Sequence, residues 1–310
     1  MRILQIDKNH PLIRTQLQEK GFEVDEDFTS NYHSIVKKIK NYNGLIIRSR
    51  IPIDEAFLNE ASHLDFIARV GAGMENIAEN RAKELGIALI NSPEGNKDAV
   101  GEHVLAGLLT LMNRLFIASS EVKSGIWLRE ENRGEELKGK TFGIIGYGNM
   151  GNAVAKRLSS FECTVIFYDI RQNLSNEYAR QVSLKELQER SDILSLHTPL
   201  TPLTHYMIDD AFISKMKKPF YFVNTARGKN LKTASLVSAI KSGKVKGAYL
   251  DVLEYEKSSF ENLDFRNEDL DFLLNSEKVI VTPHIAGWTH ESKVKLAQFI
   301  VDKILLQFGN

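Results

Sequence analysis

Short apolar runs alternate with amphipathic segments along the chain, a pattern typical of parallel strands joined by helices. In the first ninety residues this pattern predicts a small α/β unit. The predicted strands there are 2–6, 45–47, 66–70 and 87–90, and the predicted helices are 11–20, 53–61 and 76–85. A polar, turn-rich segment at 91–98 follows, and we interpret it as a hinge.

The remainder of the chain opens with a helix predicted at 99–120 and then resumes the alternating pattern. The predicted strands are 142–145, 164–168, 193–197, 220–224, 247–250 and 279–282, and the predicted helices are 150–158, 184–189, 210–216, 231–241 and 291–308. The charged segment 257–278 is predicted to be a loop. Since the chain has 310 residues and a domain has roughly 150, two domains are expected. The predicted fold class is α/β, with two doubly wound parallel-sheet domains.

A GxGxxG motif, Gly146-Tyr-Gly148-Asn-Met-Gly151, follows the strand predicted at 142–145. The first glycine permits a tight turn, the second lets a pyrophosphate approach the backbone, and the third lets the helix pack closely on the strand. The N–H groups and the dipole at the helix N-terminus attract phosphates. A glycine-rich turn without a ligand is the alternative, but the order strand, motif, helix, strand predicts a dinucleotide site.

Asp169 ends the next predicted strand, eighteen residues after Gly151. At that position a carboxylate accepts hydrogen bonds from ribose hydroxyls and repels a 2′-phosphate, which favours NAD over NADP. Arg171 follows two residues later and is the feature that favours NADP instead.

Composition excludes several other classes of function. Lys plus Arg and Asp plus Glu number 40 each, and the pI is about 7.1, so no global basic field attracts nucleic acid or an anionic membrane. The single cysteine, Cys163, excludes an intramolecular disulfide and a cysteine-rich zinc site, and no metal site is predicted. The N-terminus reaches Asp7 too early for a signal peptide, and no apolar stretch approaches roughly 18 residues. We expect a soluble, cytoplasmic protein.

Three predicted strands near the dinucleotide motif end in residues suited to acid–base chemistry. Arg227 follows the strand 220–224, Asp251 and then Glu256 follow 247–250, and His284 follows 279–282. Taken singly, each has an ordinary structural explanation. Together, however, an arginine can grip a carboxylate, a histidine can carry a hydroxyl proton, and a carboxylate can orient that histidine. Hydride exchange at C2 of a hydroxy acid needs this combination.

These residues belong to motifs that resemble those of the D-isomer-specific 2-hydroxyacid dehydrogenases. The motifs are GIIGYGNMG (143–151), SLHTPLT (195–201), VNTARG (223–228), LDVLEYE (250–256), TPHIAG (282–287) and VGAGMENI (70–77). The resemblance spans nearly the whole chain. It implies a flavodoxin-like substrate domain (1–97 plus 288–310) and a Rossmann NAD-binding domain (98–287), usually in a dimer with the active site in the cleft between the domains.

The resemblance also implies roles for individual residues. The catalytic residues of the family fall on Arg227, Glu256 and His284; Glu254 is a rival acid, but the family spacing from Asp251 selects Glu256. Lys257 stands where the family usually has proline, and Glu75 where aspartate is common. The positions implied to contact NAD are Gly146, Gly148, Asn149, Met150, Gly151, Asp169, His197, Thr198, Pro199, Thr204, Thr225, Ala226, Asp251, Ala286 and Gly287.

The first domain carries the implied substrate contacts. Ala72 and Gly73 match a loop whose backbone binds the substrate carboxylate. Arg48, Arg69 and Arg129 resemble arginines that bind a substrate phosphate, with Arg129 reaching the site from a partner subunit. Several guanidinium groups are needed to offset the lost hydration of a phosphate. Surface arginines are the ordinary alternative in a chain with 40 basic residues.

The leading hypothesis is therefore an NAD-dependent oxidation of D-3-phosphoglycerate to 3-phosphohydroxypyruvate, in serine biosynthesis. Its small-molecule partner is a 2-hydroxy or 2-keto acid, and a homodimer is expected. A glyoxylate or hydroxypyruvate reductase on the same scaffold is the second hypothesis. The third is an NAD(H)-sensing scaffold without catalysis, similar to the corepressor relatives of these enzymes.

Overall fold

The computed structural model describes residues 1–256 and 267–309. It divides into two compact units, one formed by Met1–Lys97 with Trp288–Asn310 and the other by Asp98–Gly287. Each unit has its own parallel sheet, of five and seven strands respectively. The predicted α/β class with two parallel-sheet domains is confirmed.

The five-stranded sheet has the order β2-β1-β3-β4-β5, with every neighbouring pair parallel. Its strands are β1 (Arg2–Gln5), β2 (Glu23–Glu26), β3 (Gly44–Ile47), β4 (Phe66–Arg69) and β5 (Ala88–Asn91), and its helices are α1 (Leu12–Glu19), α2 (Tyr32–Ile39), α3 (Glu55–Glu60) and α4 (Glu79–Glu84). The sequence pattern did not predict β2 or α2. β2 lies at the sheet edge and buries only Val24, so it lacks the apolar run of an internal strand.

The seven-stranded sheet has the order β12-β11-β10-β9-β6-β7-β8 and is parallel throughout. Its strands are β6 (Thr141–Ile145), β7 (Thr164–Tyr168), β8 (Arg180–Gln181), β9 (Ile193–Leu196), β10 (Phe220–Asn224), β11 (Val245–Leu250) and β12 (Val279–Val281). The strand order reverses between β6 and β9, and ligands of open α/β sheets bind at such a switch point, beside the strand carboxyl ends. The Gly146 turn and His197 lie there.

Helices cover this sheet, and apolar side chains are buried against it on both sides. The helices between β5 and β12 in chain order are α5 (Lys97–Met112), α6 (Leu115–Lys123), which buries none of its residues, α7 (Asn149–Leu158), α8 (Leu184–Arg190), α9 (Asp210–Lys215), α10 (Thr233–Lys241) and α11 (Glu268–Asn275). The C-terminal helix α12 (His290–Phe308) then packs on the first unit, where its Lys303 binds Glu94 and the Asn91 carbonyl. α12 begins with a capping box between Thr289 and Ser292.

Two predictions about helices are wrong. The single helix predicted at 99–120 is two helices, α5 and α6, bent by 60° around Arg114, whose φ is 53°. The Met112 carbonyl accepts from the backbone N–H of Glu135, a distant segment that the apolar pattern cannot indicate. In the segment 257–278, residues 268–275 form α11, capped by the Asn267 side chain. The predicted loop at 257–266 lies outside the described residues.

Within the described part of the chain, no single helix has the length and apolar character that crossing a membrane requires. The bent pair α5 and α6 meets that test when taken together, by length and composition.

Glu135 joins the segment before β6 to the sheet. Its carboxylate lies 2.8 Å from Lys140 Nζ, pairs with Lys246 and accepts a 3.1 Å hydrogen bond from the Tyr221 hydroxyl. Burial alone raises the pKa of this carboxyl, but the two ammonium groups outweigh it and lower the pKa from 4.5 to about 2. The ionised form is therefore stabilised by folding.

Glu135→Gln is expected to lower the free energy of unfolding at pH 7 by about 1–2 kcal/mol, a value reduced for a side chain that is 33% exposed. The folded-state pKa lies below the unfolded value, so this contribution is present above pH 4.5 and disappears as the pH falls towards 2. Denaturant unfolding of both proteins at pH 7 and at pH 3 measures it. An equal difference at both pH values would contradict the assignment.

Candidate active site

The glycine motif forms the turn between β6 and α7, and two of its glycines are required by close contacts. Gly146 has a φ of +91°, and a Cβ there would lie 2.7 Å from the His197 carbonyl oxygen. A Cβ on Gly151 would lie 2.2 Å from the Gly146 carbonyl oxygen. A Cβ on Gly148, in contrast, would meet nothing closer than Arg171 Nη2, at 4.0 Å. The backbone at Gly148 is therefore open to a ligand.

Asp169 follows β7 and holds the glycine turn. The Tyr147 backbone N–H donates to its Oδ2 at 2.7 Å, and Arg171 donates to Oδ1 from its backbone at 2.9 Å and from Nε at 3.1 Å. Burial raises the pKa of Asp169, but these donors outweigh it and the pKa falls below its usual value. The exposed Arg171 side chain occupies acceptor positions that a ribose hydroxyl would use. It must move for the carboxylate to bind ribose.

Other residues implied to contact NAD surround the same strand ends. The Thr225 hydroxyl, after β10, is buried without a hydrogen-bond partner among the described residues, as expected of a group that binds a ligand. His197 Nε2 lies 2.8 Å from the Ser195 hydroxyl, and burial lowers the pKa of His197 to about 3, so its imidazole is neutral. These features fit a bound dinucleotide.

Two threonines of this group have structural partners. Asn230 donates to the Thr198 hydroxyl at 2.7 Å. The Thr204 hydroxyl donates to the Pro199 carbonyl at 2.6 Å and closes the loop that begins at Thr198. Their hydroxyl groups therefore shape the loop beside the glycine turn.

Arg227, Glu256 and His284 follow three neighbouring strands, β10, β11 and β12. A close backbone contact joins the first two loops: a Cβ on Gly228 would lie 1.9 Å from the Leu253 carbonyl oxygen. Only glycine permits this approach of the arginine loop to the loop that carries Glu256. The Glu256 carboxylate, in turn, accepts from the Leu253 backbone N–H.

Glu256 contacts His284 directly. Its Oε2 lies 2.9 Å from His284 Nδ1, and both side chains are largely buried. The carboxylate thus fixes the orientation of the imidazole. His284 itself has a φ of 57°, the left-handed region that a non-glycine residue adopts rarely and that recurs at functional sites.

The rival acid, Glu254, has a different environment. One of its oxygens accepts from the Tyr206 hydroxyl at 2.7 Å, and the other accepts from the Thr233 backbone N–H at the start of α10, at 2.9 Å. Glu254 therefore caps a helix, and Glu256 is the carboxylate at the histidine.

Asp251 was expected to contact nicotinamide, and its described hydrogen bonds go to the loop of His284. It is 1% exposed. Oδ1 accepts from the Thr282 hydroxyl at 2.6 Å and from the Ile285 N–H at 2.8 Å, and Oδ2 accepts from the Ala286 N–H at 2.8 Å. Its backbone carbonyl accepts from the His284 N–H. Burial raises the pKa of Asp251, and these three donors partly oppose the rise.

Of the arginines implied to bind substrate, Arg48 follows β3 and Arg69 ends β4 in the first unit, whereas Arg129 belongs to the second unit. Arg48 stacks its guanidinium on the Trp288 ring, 4.1 Å from the centroid, and burial lowers its pKa. That guanidinium donates no hydrogen bond to any residue within 1–256 or 267–309. Arg69 is 9% exposed, and its Nε donates to the Arg48 carbonyl at 3.2 Å. Arg129 lies on the exposed segment after α6.

The loop after β4 presents two further donors. The backbone N–H groups of Ala72 and Gly73 donate to no residue in the described part of the chain, while the Ala72 carbonyl accepts from the Asn91 side chain at 2.7 Å. A loop held in this way is suited to bind a carboxylate.

Sequence reasoning assigned no role to Thr282, Tyr249 or Trp288. Thr282 lies within the TPHIAG motif, whose position beside His284 was a usable signal. Tyr249 and Trp288 carry no such signal, because their contacts with other parts of the chain exist only in the folded state.

A parallel sheet with a glycine turn, a terminal aspartate and a paired histidine and glutamate defines a dinucleotide-dependent dehydrogenase. Comparison with known proteins supports the same class of enzyme. Residues 105–286 match the family model for the NAD-binding domain of the D-isomer-specific 2-hydroxyacid dehydrogenases. The chain belongs to this family, and residues 105–286 are its NAD-binding domain.

Among curated relatives, a D-3-phosphoglycerate dehydrogenase of Archaeoglobus fulgidus is 34% identical over 93% of this chain and 54% of its own length. The chain thus spans about half of that relative. A hydroxypyruvate reductase of Thermotoga maritima is 33% identical over 98% of both chains. Among solved structures, a D-lactate dehydrogenase of Aquifex aeolicus in complex with NAD and lactic acid is 29% identical, with a TM-score of 0.84 over 99% of this chain and 96% of that one.

Replacing Asp169 by alanine is expected to weaken NADH binding by about 10- to 100-fold, because a charged acceptor for the ribose hydroxyls is lost. NADPH binding should strengthen relative to NADH, since Arg171 is released to face a 2′-phosphate. Fluorescence titration with both cofactors measures the ratio. In the double variant Asp169→Ala/Arg171→Ala the relative gain for NADPH should disappear; if it persists, Arg171 does not discriminate between the cofactors.

Proposed function

We propose that the chain catalyses the NAD-dependent interconversion of a D-2-hydroxy acid and its 2-keto acid, with D-3-phosphoglycerate as the substrate. The observation that carries the reaction class is the 2.9 Å pair of His284 Nδ1 and Glu256 Oε2, which lie in the loops after β12 and β11. β11 adjoins β10, and the loop after β10 carries Arg227. Family membership supports the same class.

Each of the three side chains has a proposed role. Because Nδ1 of His284 is bound to Glu256, Nε2 is the nitrogen that accepts the C2 hydroxyl proton during oxidation and returns it during reduction. Glu256 stabilises the imidazolium that this transfer creates. Arg227 grips the substrate carboxylate through two parallel hydrogen bonds. The glycine turn, Asp169 and Thr225 would hold NAD, which would supply the acceptor for the hydride from C2.

The choice of a phosphorylated substrate rests on Arg48. Its guanidinium is substantially removed from water, lies over an indole ring and donates to no described residue. A desolvated cation of this kind is costly unless an anion pairs with it. The Asp7 carboxylate, which accepts from the Arg48 backbone N–H, offsets part of this cost. A substrate phosphate would supply a direct partner for the guanidinium, and Arg69 lies beside it.

A specific observation also favours a second candidate, hydroxypyruvate reduction without the phosphate. The hydroxypyruvate reductase of Thermotoga maritima matches this chain over 98% of both lengths. In that case the anion facing Arg48 is the substrate carboxylate, and no phosphate contact is needed.

Steady-state oxidation of NADH with a panel of 2-keto acids distinguishes these candidates. The panel contains 3-phosphohydroxypyruvate, hydroxypyruvate, glyoxylate and pyruvate. We expect the highest kcat/KM with the phosphorylated acid, and Arg48→Gln should reduce it selectively. A preference for unphosphorylated hydroxypyruvate selects the second candidate. Tight NADH binding without any turnover would instead favour a non-catalytic NAD(H) sensor.

We also propose that the chain forms a homodimer through α6 and the segment after it. All residues of α6 are described, and none is buried. Large apolar side chains are exposed there, among them Phe116 at 72% and Trp127 at 76%. An exposed apolar patch of this kind is typical of a subunit interface. Analytical ultracentrifugation should give a dimer, and Phe116→Glu should give a monomer.

With phosphoglycerate as its substrate, we propose that the enzyme acts in serine biosynthesis. We propose the cytoplasm as its location, and cell fractionation tests that location.

A further inference from the structure

A continuous series of hydrogen bonds, which we call the α5 relay, links helix α5 to the loop of His284. His103 Nδ1 on α5 forms a hydrogen bond with the Tyr249 hydroxyl on β11. That hydroxyl lies 3.2 Å from the Thr282 hydroxyl, and Thr282 donates to Asp251 Oδ1 at 2.6 Å. All four residues belong to the unit Asp98–Gly287. The proposed reaction assigns no role to the first three of them.

The relay has one consistent direction. A carboxylate accepts hydrogen bonds, so the Thr282 hydroxyl hydrogen points to Asp251. Because a hydroxyl has a single hydrogen, the oxygen of Thr282 must accept from Tyr249. The Tyr249 oxygen must then accept from His103, which therefore carries its hydrogen on Nδ1. The relay is a directed series of donors that ends on the buried carboxylate.

Packing holds Tyr249 in this series. Its side chain is fully buried, and burial raises its pKa, so the hydroxyl keeps its proton. The ring stacks on His103 with an interplanar angle of 17°. Gly107, one helical turn after His103, leaves the space for it, since a Cβ there would lie 2.4 Å from Tyr249 Cδ1. These contacts leave the hydroxyl little freedom to turn away from Thr282.

The far end of the relay is the carboxylate that supports the backbone of His284. Residue 284 is held in the left-handed region, an unfavourable conformation that needs compensation. Asp251 provides it by accepting from the N–H groups of the next two residues, Ile285 and Ala286. If the Thr282 hydroxyl hydrogen no longer pointed to Asp251, Oδ1 of that carboxylate would lose a donor. The loop of His284 would then be held less firmly.

We propose that His103 and Tyr249 are positioning residues, which act through Thr282 and Asp251 to hold His284 in place for proton transfer. This inference rests on the proposed function of His284. Neither residue touches the reacting atoms, so their removal should affect the chemical step more than the binding of cofactor or substrate.

Tyr249→Phe removes the central hydroxyl and retains the ring. We expect kcat to fall about tenfold, since small displacements of a catalytic group cost up to about 100-fold in rate. The Kd for NADH and the KM for the keto acid should stay within about twofold. Tyr221→Phe is the matched control, because it removes a tyrosine hydroxyl bond from the adjacent strand β10, and its kcat should stay near the wild-type value. Equal losses in both variants, or a rise of about tenfold in the Kd for NADH, would overturn the proposal.

Two variants of His103 separate the effect of its hydrogen-bond donor from the effect of its packing. His103→Asn places an amide N–H near the position of Nδ1, whereas His103→Leu fills the space without a donor. We expect a kcat loss of about three- to tenfold for leucine and substantial rescue by asparagine. If the relay acts as one unit, His103→Leu should add little to Tyr249→Phe in the double variant. Equal activities of the asparagine and leucine variants, or fully additive losses, would contradict it.

A second readout does not depend on turnover. In ¹⁵N-labelled protein, the imidazole of His103 should show a protonated Nδ1 that is protected from exchange, and Tyr249→Phe should abolish the protection. If wild-type turnover is absent but this signal is present, the proposed function fails and the relay remains as a structural feature. An unprotonated Nδ1 in an active wild-type enzyme would overturn the relay and leave the proposed function standing.

Discussion

His284→Asn is expected to lower kcat by about 10²- to 10⁴-fold, which is the usual contribution of a positioned acid–base group. Asparagine is chosen because residue 284 has a φ of 57°, and asparagine tolerates the left-handed region. The backbone should therefore keep its conformation, while the titrating nitrogen is lost. Stopped-flow measurement of NADH oxidation, together with NADH titration, should show slow hydride transfer with unchanged cofactor affinity.

The neighbouring glutamates provide a matched comparison. Glu256→Gln keeps an oxygen that accepts from His284 Nδ1 but removes the charge, and kcat should fall at least about tenfold. Glu254→Gln removes an equal charge two residues away, from a carboxylate that binds Tyr206 and the start of α10. That variant should lose thermal stability and keep most of its kcat. The opposite result would assign the catalytic role to Glu254.

Arg227→Ala is expected to reduce kcat/KM for the 2-keto acid by an amount equivalent to about 2–5 kcal/mol, because the substrate carboxylate loses its bidentate partner. Arg227→Lys should recover only part of the loss, since an ammonium group cannot form the planar pair of hydrogen bonds. Steady-state kinetics with the preferred acid measures both variants.

Lys229→Ala is the control for that experiment. Lys229 is an exposed cation two residues along the same loop, so its removal makes a similar change in local charge without touching the proposed carboxylate site. Its kcat/KM should match the wild-type value. Near-normal kcat/KM in Arg227→Ala would show that another group binds the carboxylate, and it would remove the arginine from the proposed mechanism.

The strands with continuous apolar runs were predictable, as were the glycine turn and Asp169, because their signals are local. A strand buried on both faces needs an apolar run, and a turn between β6 and α7 needs glycine where φ is positive. The edge strand β2 and the break at Arg114 were not predictable in the same way. β2 buries only Val24, and the end of α5 depends on an N–H that arrives from Glu135.

The sequence by itself determined the fold class, the family and the set of side chains available for chemistry, since these follow from periodicity and motif spacing. The tertiary structure supplied the contact between His284 and Glu256, the glutamate that the motif spacing had selected, and it decided that the Asp251 carboxylate supports the histidine loop. It also joined His103 to that loop through Tyr249. The physical reason is that hydrogen bonds form between groups brought together by packing, and residues as far apart as 103, 249 and 282 carry no mark of that proximity in their order along the chain.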